Sequence, residues 1–395
     1  MRTARYGIIV GLGLSLACGD DGGTASGSAS ASASDGSTAS GTTENTSAPD
    51  GTTTVDSAEG TTTSPATSST GMTTTAETET DDEGSTSTGE PAPIEMVVMT
   101  FNTGTTTGLL HGIDGDDYGS DEADISDEYY GDGLAWQVNV DLTAQFFAQL
   151  QPDVVVFQEI FWSGDCPKIP PEFHPGFVCE TWQPGDPTVV ELVMGPDYQI
   201  ACNLGRPDKC AAVRKEFGTI VGCEQDFCLE GMDGSPINGC GGGSRIGRGL
   251  IELPDGQQFT LTSVHGTSGQ LPDDWDCREQ QVEQVFVDFD GEPAANGRRN
   301  LVMGDLNTDP YRAVIDPSAD RWRDFVGDGE AFDFISEAGL TATPTYQNLF
   351  NIDHVMSEHF VGECEVPGIT PGVNPVLDTV YFDHHPIVCT VTEPR

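Results

Sequence analysis

The sequence predicts a layered α/β domain, and three observations carry that reading. Across residues 91–395, short β-branched runs that read as strands alternate with stretches of helical periodicity. The first two runs flank one helical stretch, the spacing of a parallel crossover. Several runs end on acids, amides or imidazoles, so a rigid sheet would carry reactive groups at its strand ends.

Taken in order, residues 95–101 (EMVVMTF) read as a buried strand ending at Asn102. Residues 111–133 are rich in acids and read as a solvated loop. Asp114-Gly115-Asp116 opens like a Ca²⁺ loop, but Tyr118 and Ile125 fall where ligands are needed. Residues 134–150 place Trp136, Val140, Phe147 and Leu150 on one helical face, and Gln151-Pro152-Asp153 stops the helix. The run 153–158 (DVVVFQ) leads straight to Glu159. A cysteine-rich, turn-rich insertion spans about 163–244. Residues 248–253 and 258–264 flank Pro254-Asp255-Gly256 as a hairpin that delivers His265. A helical stripe at 275–289 precedes the strand 300–303, which ends at Gly304-Asp305. Phe332 and Ile335 belong to a short helix capped by Gly339, and strands at 352–356 and 386–391 close the domain.

The N-terminal quarter has a different composition. Residues 1–17 carry Arg2 and Arg5, an apolar run too short to span a bilayer, and small residues before Cys18. That is a secretory signal, and Leu14-Ser15-Leu16-Ala17-Cys18 resembles a bacterial lipobox. It predicts an exported protein of the bacterial cell envelope or extracellular space, anchored by lipid on Cys18. Residues 18–90 hold mostly Gly, Ser, Thr, Ala, Asp and Glu with no aromatic residue, and read as a disordered acidic tether. Net charge is −48, from 64 acids and 16 basic residues. Thirteen acids lie in the tether and two arginines in the signal, which leaves 51 acids against 14 bases over 91–395. That balance disfavours tight binding of a polyanion. Apart from Cys18, ten cysteines remain, and an even number in an exported chain predicts up to five disulfides.

The polar strand ends form one set: Asn102, Glu159, His265, Asp305, Asn307, Asp353, Asp383 and His384. Oxygen donors with imidazoles suit a hard divalent cation and a phosphate ester. Phe101-Asn102, Phe157-Gln158-Glu159, Val264-His265, Gly304-Asp305-Leu306-Asn307, Ile352-Asp353-His354-Val355 and Asp383-His384-His385-Pro386 occur in the order of one known group. The chain resembles the endonuclease/exonuclease/phosphatase superfamily, which includes DNase I-like nucleases and bacterial sphingomyelinases. That resemblance implies a four-layer α/β/β/α sandwich of two mixed sheets and Mg²⁺-dependent hydrolysis of a phosphodiester, with Mn²⁺ or Ca²⁺ as alternatives. Separately, no segment of the sequence marks a protein partner, and a monomer is expected.

On that reading Glu159, Asn102 and Asp383 hold the metal. Asp305 activates a water, and Asn307, on the same face of an extended segment, donates to a phosphoryl oxygen. Asp353 orients His384, whose charged form faces the phosphate opposite His265. Arg245 and Arg278 are candidate substrate contacts. His354 and His385 read as structural. The substrate is either nucleic acid or a phospholipid such as sphingomyelin. The rival reading is a non-catalytic surface lipoprotein that keeps the fold for binding or adhesion.

Overall fold

The computed structural model describes residues 92–105, 120–297, 299–368 and 382–394. The signal, Cys18, the tether and Asp114–Tyr118 of the acidic stretch lie outside the described residues. In chain order the first strands are β1 (Glu95–Asn102), β2 (Val154–Gln158), β3 (Tyr198–Asn203), β4 (Arg206–Arg214), β5 (Thr219–Ile220), β6 (Phe227–Cys228) and β7 (Asp233–Gly234). They are followed by β8 (Ile246–Glu252), β9 (Gln258–His265), β10 (Asn300–Asp305), β11 (Asp333–Phe334), β12 (Asp353–Ser357), β13 (Val361–Glu365) and β14 (Ile387–Thr392). Interspersed are α1 (Ser120–Tyr130), α2 (Gln137–Leu150), α3 (Val189–Met194), α4 (Pro272–Phe286) and α5 (Pro317–Arg323).

One sheet runs β13-β14-β1-β2-β4-β3-β6 and the other β11-β12-β10-β9-β8-β5, with β7 beside β8. Both are mixed. β1 lies parallel to β2 and β9 parallel to β10, whereas β14 and β12 run antiparallel to β1 and β10.

Alternation along the strands sorts their side chains into layers. Val98, Val154 and Val156 meet Leu261, Leu301 and Met303 in a core between the sheets. Met99, Phe101, Val155 and Phe157, one residue out of phase, pack on Phe146, Phe147 and Val193 of the first helical layer. Val264, Val302 and Met356 pack on Val282, Val285 and Trp322 of the second. Helices cover both outer faces, so runs such as Val154–Phe157 of β2 and Leu301–Met303 of β10 are apolar without interruption. The result is a four-layer α/β/β/α sandwich with two mixed sheets.

Three expectations are corrected. Residues 120–130 form a helix rather than loop, because Ala123, Ser126 and Tyr130 make a buried stripe at helical spacing while Asp124, Asp127 and Glu128 face outward. The stretch 163–244 is only partly an insertion: β3 and β4 extend the first sheet, β4 pairing antiparallel with β2. Phe332 and Ile335 flank the short strand β11, not a helix; the helix of that region is α5, started by the Asp316 side chain accepting from Ser318 N.

All ten cysteines pair: 166–179, 202–210, 223–228, 240–277 and 364–389. Among the described residues no helix is long and apolar enough to cross a membrane.

His354 gives the fold an acid limit. It is fully buried, with Nε2 3.1 Å from Asn351 O and Nδ1 3.0 Å from Ser336 Oγ, which suits a neutral ring. Burial pushes it down to about 4, against an ordinary value of 6.5. Between those values the unfolded chain takes up the proton and the fold does not, so stability falls as pH drops from 6.5 to 4. The loss attributable to His354 is about 3 kcal/mol at pH 4. Urea unfolding across that range checks it: His354→Gln should flatten the slope, and an unchanged slope refutes the assignment. His385, also pushed to about 4 by burial, adds the same sign in both proteins.

Candidate catalytic and metal site

The sheets bring the predicted strand ends to one place by register. Asn102 stands beside Gln158, the residue before Glu159, at the ends of β1 and β2. Asp305 stands in register with His265 on one side and Asp353 on the other. Cross-strand partners in register point the same way, so one sheet aims three of the reactive groups together. Gly304 makes this possible. Its φ is 150°, and a side chain there would run into the Val264 carbonyl of the neighbouring strand.

Asp305 is the centre. Its Oδ2 accepts from Asn102 Nδ2 at 3.0 Å, a bond between the two sheets, and from Asn307 Nδ2 at 2.9 Å. The same oxygen lies 3.8 Å from His265 Nε2 and 3.9 Å from His384 Nε2. Asp353 Oδ2 accepts from His384 Nδ1 at 2.8 Å, fixing that ring with Nε2 toward Asp305. Thr345 Oγ1 accepts from the Asp353 backbone at 3.2 Å, and the Tyr346 ring packs on His384 at 4.7 Å between centroids.

The electrostatics separate the imidazoles. Burial opposes charge on His384, but Asp353, Asp383 and Asp305 outweigh it and hold its pKa well above the ordinary value. His265 is driven well below it by burial, then by Lys209 and Arg245. One imidazole is therefore charged and the other neutral. Burial pushes the Asp305 carboxyl up to about 7, with His384 pulling the other way. Glu159 is held well above its ordinary range by desolvation and by Asp383. Asp132, absent from the predicted set, is pushed up to about 7 by burial and by Asp127 and Asp383.

Oxygen donors converge beside Gly104. A side chain there would collide with Glu159 Oε2 and lie 3.1 Å from Asp383 Oδ1 and 3.3 Å from Asn102 Oδ1. Two carboxylates and an amide oxygen around a space that only glycine leaves open fit a hard cation. A second group, Asp305, Asp353 and His384, has ligand atoms within 4.8 Å of one another. There Asp353 and His384 already satisfy each other, so the Gly104 cradle is the better cation site.

Not every candidate faces the reaction centre. Asn307 has φ 52° and turns back on Asp305 instead of continuing the strand; its amide donates to Asp305 and to Gly266 O at 3.0 Å. It holds Asp305 rather than reaching for a phosphate, because the turn supersedes the extended alternation expected. Arg278 is buried against Asp316 at 2.8 Å and the carbonyls of Thr267 and Gly269, so its guanidinium braces the fold instead of meeting substrate. Arg245 lines a cleft of about 710 Å³ that also reaches Glu159, Arg206, Tyr129 and Trp162. His354 points away from the site, as alternation requires.

No protein-family model and no curated protein matches the sequence. Among solved structures the chain is similar to the catalytic domain of human Nocturnin, at 13% identity, covering 76% of this chain and 94% of that one with a TM-score of 0.45. It is similar to an endonuclease/exonuclease/phosphatase family protein from Bacteroides thetaiotaomicron at 12%, 77%, 96% and 0.45 in the same measures. Beta toxin from Staphylococcus aureus gives 15%, 74%, 99% and 0.42. These are likenesses of fold. The chemistry rests on the geometry above.

Proposed function

We propose that this chain is an exported, lipid-anchored hydrolase of phosphodiesters that depends on a divalent cation, Mg²⁺ first among them. The observation that carries this reading is Asp305 Oδ2, fixed by two amides and set within 4 Å of a neutral and a charged imidazole. Asp305 takes a proton from the attacking water. His384, charged and held by Asp353, donates a hydrogen bond from Nε2 to a phosphoryl oxygen as charge builds there, while the P–O bond opposite the water breaks and the departing ester oxygen takes a proton from solvent. His265, neutral, lines the opposite side. A cation held by Glu159, Asn102 and Asp383 would supply charge neutralisation at the phosphoryl oxygens. The set is complete, which favours an enzyme over a binding protein that merely keeps the fold.

The cleft favours an ester with a neutral or cationic head group over a polynucleotide. Asp127, Glu128, Asp165 and Asp273 line it together with Tyr129 and Trp162, and these acids outnumber the two basic residues there, Arg206 and Arg245. Acids repel a phosphate backbone, while aromatic faces attract an alkylammonium group.

Purified protein offered sphingomyelin or phosphatidylcholine vesicles, plasmid DNA and RNA should hydrolyse a phospholipid fastest in Mg²⁺. EDTA should reduce that rate at least about a hundredfold. Turnover indifferent to EDTA would remove the cation from the reading, and preferential cleavage of DNA would reverse the substrate. Cys18→Ser should move the protein from the membrane to the soluble fraction. Unchanged detergent partitioning would rule the anchor out.

A further inference from the structure

Asp132 belongs to none of the predicted motifs, yet the backbone ties it to the cation cradle. Thr105 N and Oγ1 both donate to Asp132 O, at 2.8 and 3.1 Å, while Asp383 N donates to Gly104 O at 3.2 Å. Adjacent residues of one segment thus hold Asp132 and Asp383. The residues after Asp132 and the segment before Gly104 converge on Glu159: Leu134 N and Thr103 Oγ1 donate to its carbonyl at 3.3 and 3.0 Å. Backbone bonds therefore bring Asp132, Glu159 and Asp383 to the strip 103–105, over which the cradle opens.

Asp132 is also anomalous by itself. It is only 7% exposed, and its Oδ1 has no hydrogen-bond partner among the described residues. No Lys or Arg forms an ion pair with Asp132 or Glu159 among those residues; Glu159 meets only His265, at 3.2 Å. Asp132 has φ 56°, a left-handed backbone that aspartate tolerates better than most residues. A buried, uncompensated carboxylate is expensive unless a cation answers it.

We infer that Asp132 is a positioning residue of the cation site, holding water of the cation's shell while Glu159, Asp383 and Asn102 contact the ion. Mg²⁺ gives up its waters reluctantly, so carboxylates just outside the ligand set orient those waters and tighten the site. The inference rests on the cation dependence proposed above and adds a residue to it.

Mg²⁺ titration calorimetry on the purified wild type, Asp132→Asn and Asp273→Asn tests it. Asparagine keeps the shape and the left-handed preference and removes only the charge. Asp132→Asn should weaken Mg²⁺ binding about 10- to 100-fold, without lowering the cation-free melting temperature, and saturating Mg²⁺ should restore most of its turnover. Asp273→Asn, at the exposed cleft rim and away from Asp132, should change Mg²⁺ affinity less than about threefold, as an exposed charge does. If Asp132→Asn does not fold, Asp132→Gly, which also accepts the left-handed backbone, should show the same weakening. Wild-type affinity in the folded variant overturns the inference and leaves the hydrolase reading standing. Absence of Mg²⁺ binding by the wild type overturns both.

Discussion

Asp305→Asn is expected to lower kcat by about a thousandfold or more, with no loss of thermal stability. Asparagine can still accept through its amide oxygen from the Asn102 and Asn307 side chains, so the cross-sheet link survives. Its NH2 faces the Asn307 backbone N–H that Asp305 Oδ1 accepts at 2.7 Å, and losing that one bond costs about 1 kcal/mol, less than the relief of the buried charge. What disappears is the ability to take a proton. A thousandfold loss corresponds to about 4 kcal/mol of transition-state stabilisation, the scale of a general base plus its electrostatic field. Stability moves the other way. The carboxyl is pushed up to about 7 by burial, so ionising it costs the folded state free energy. A raised folded pKa means that its contribution to cation-free stability is present below about pH 4 and lost as pH rises through about 7. The variant should lack that slope and melt no lower than wild type at pH 8. A variant that retains a tenth of wild-type turnover would remove Asp305 from the role of base. One that unfolds would show that its charge holds the sheets together.

The sequence made the site legible because every reactive group closes or opens an apolar strand. Asn102, Glu159, His265, Asp305 and Asp353 could be placed by counting alternation to the last apolar residue, and register then brought three of them together. The Asp353–His384 bond came from the family resemblance and not from spacing. Sequence failed where a local turn overrides periodicity. Asn307 was expected to continue an extended run, but its left-handed backbone sends the amide back to Asp305. Arg278 carries no sign in its neighbours that Asp316, 38 residues later, will claim its guanidinium. Helix α1 was hidden because eight acids between 114 and 128 outweigh a buried stripe of small and aromatic residues. Asp132 vanished into the same acidic stretch; Asp132-Gly133 reads as a turn, and only long-range contacts with Thr105 give it a second meaning. In the cysteine-rich region, disulfide and turn signals masked β3 and β4, whose place in the sheet depends on pairing with β2.

Glu159→Gln should abolish cation binding and turnover together while making the cation-free protein more stable. The carboxylate ends an apolar strand at a left-handed residue, φ 58°, and faces the cleft with 19% of its side chain exposed. Desolvation, then Asp383, holds its pKa well above the ordinary carboxylate range. Without a cation its ionised form is therefore a liability, and cation-free stability should fall as pH rises through its folded pKa. Glutamine removes that liability and keeps the shape. With a cation the balance reverses: a ligand that binds only the folded state stabilises it by about 2.7 kcal/mol at a hundred times its Kd. Wild type should thus gain melting temperature on adding Mg²⁺, and Glu159→Gln should start higher and gain almost nothing. Turnover should drop at least about a hundredfold, since the cation's charge neutralisation goes with it. Differential scanning calorimetry in EDTA and in saturating Mg²⁺ separates the two effects. An equal Mg²⁺ shift in both proteins would move the cation to the Asp305, Asp353 and His384 group, the other set of converging ligand atoms. A lower cation-free melting temperature for the variant would mean that Glu159 is satisfied within the fold rather than held open for an ion.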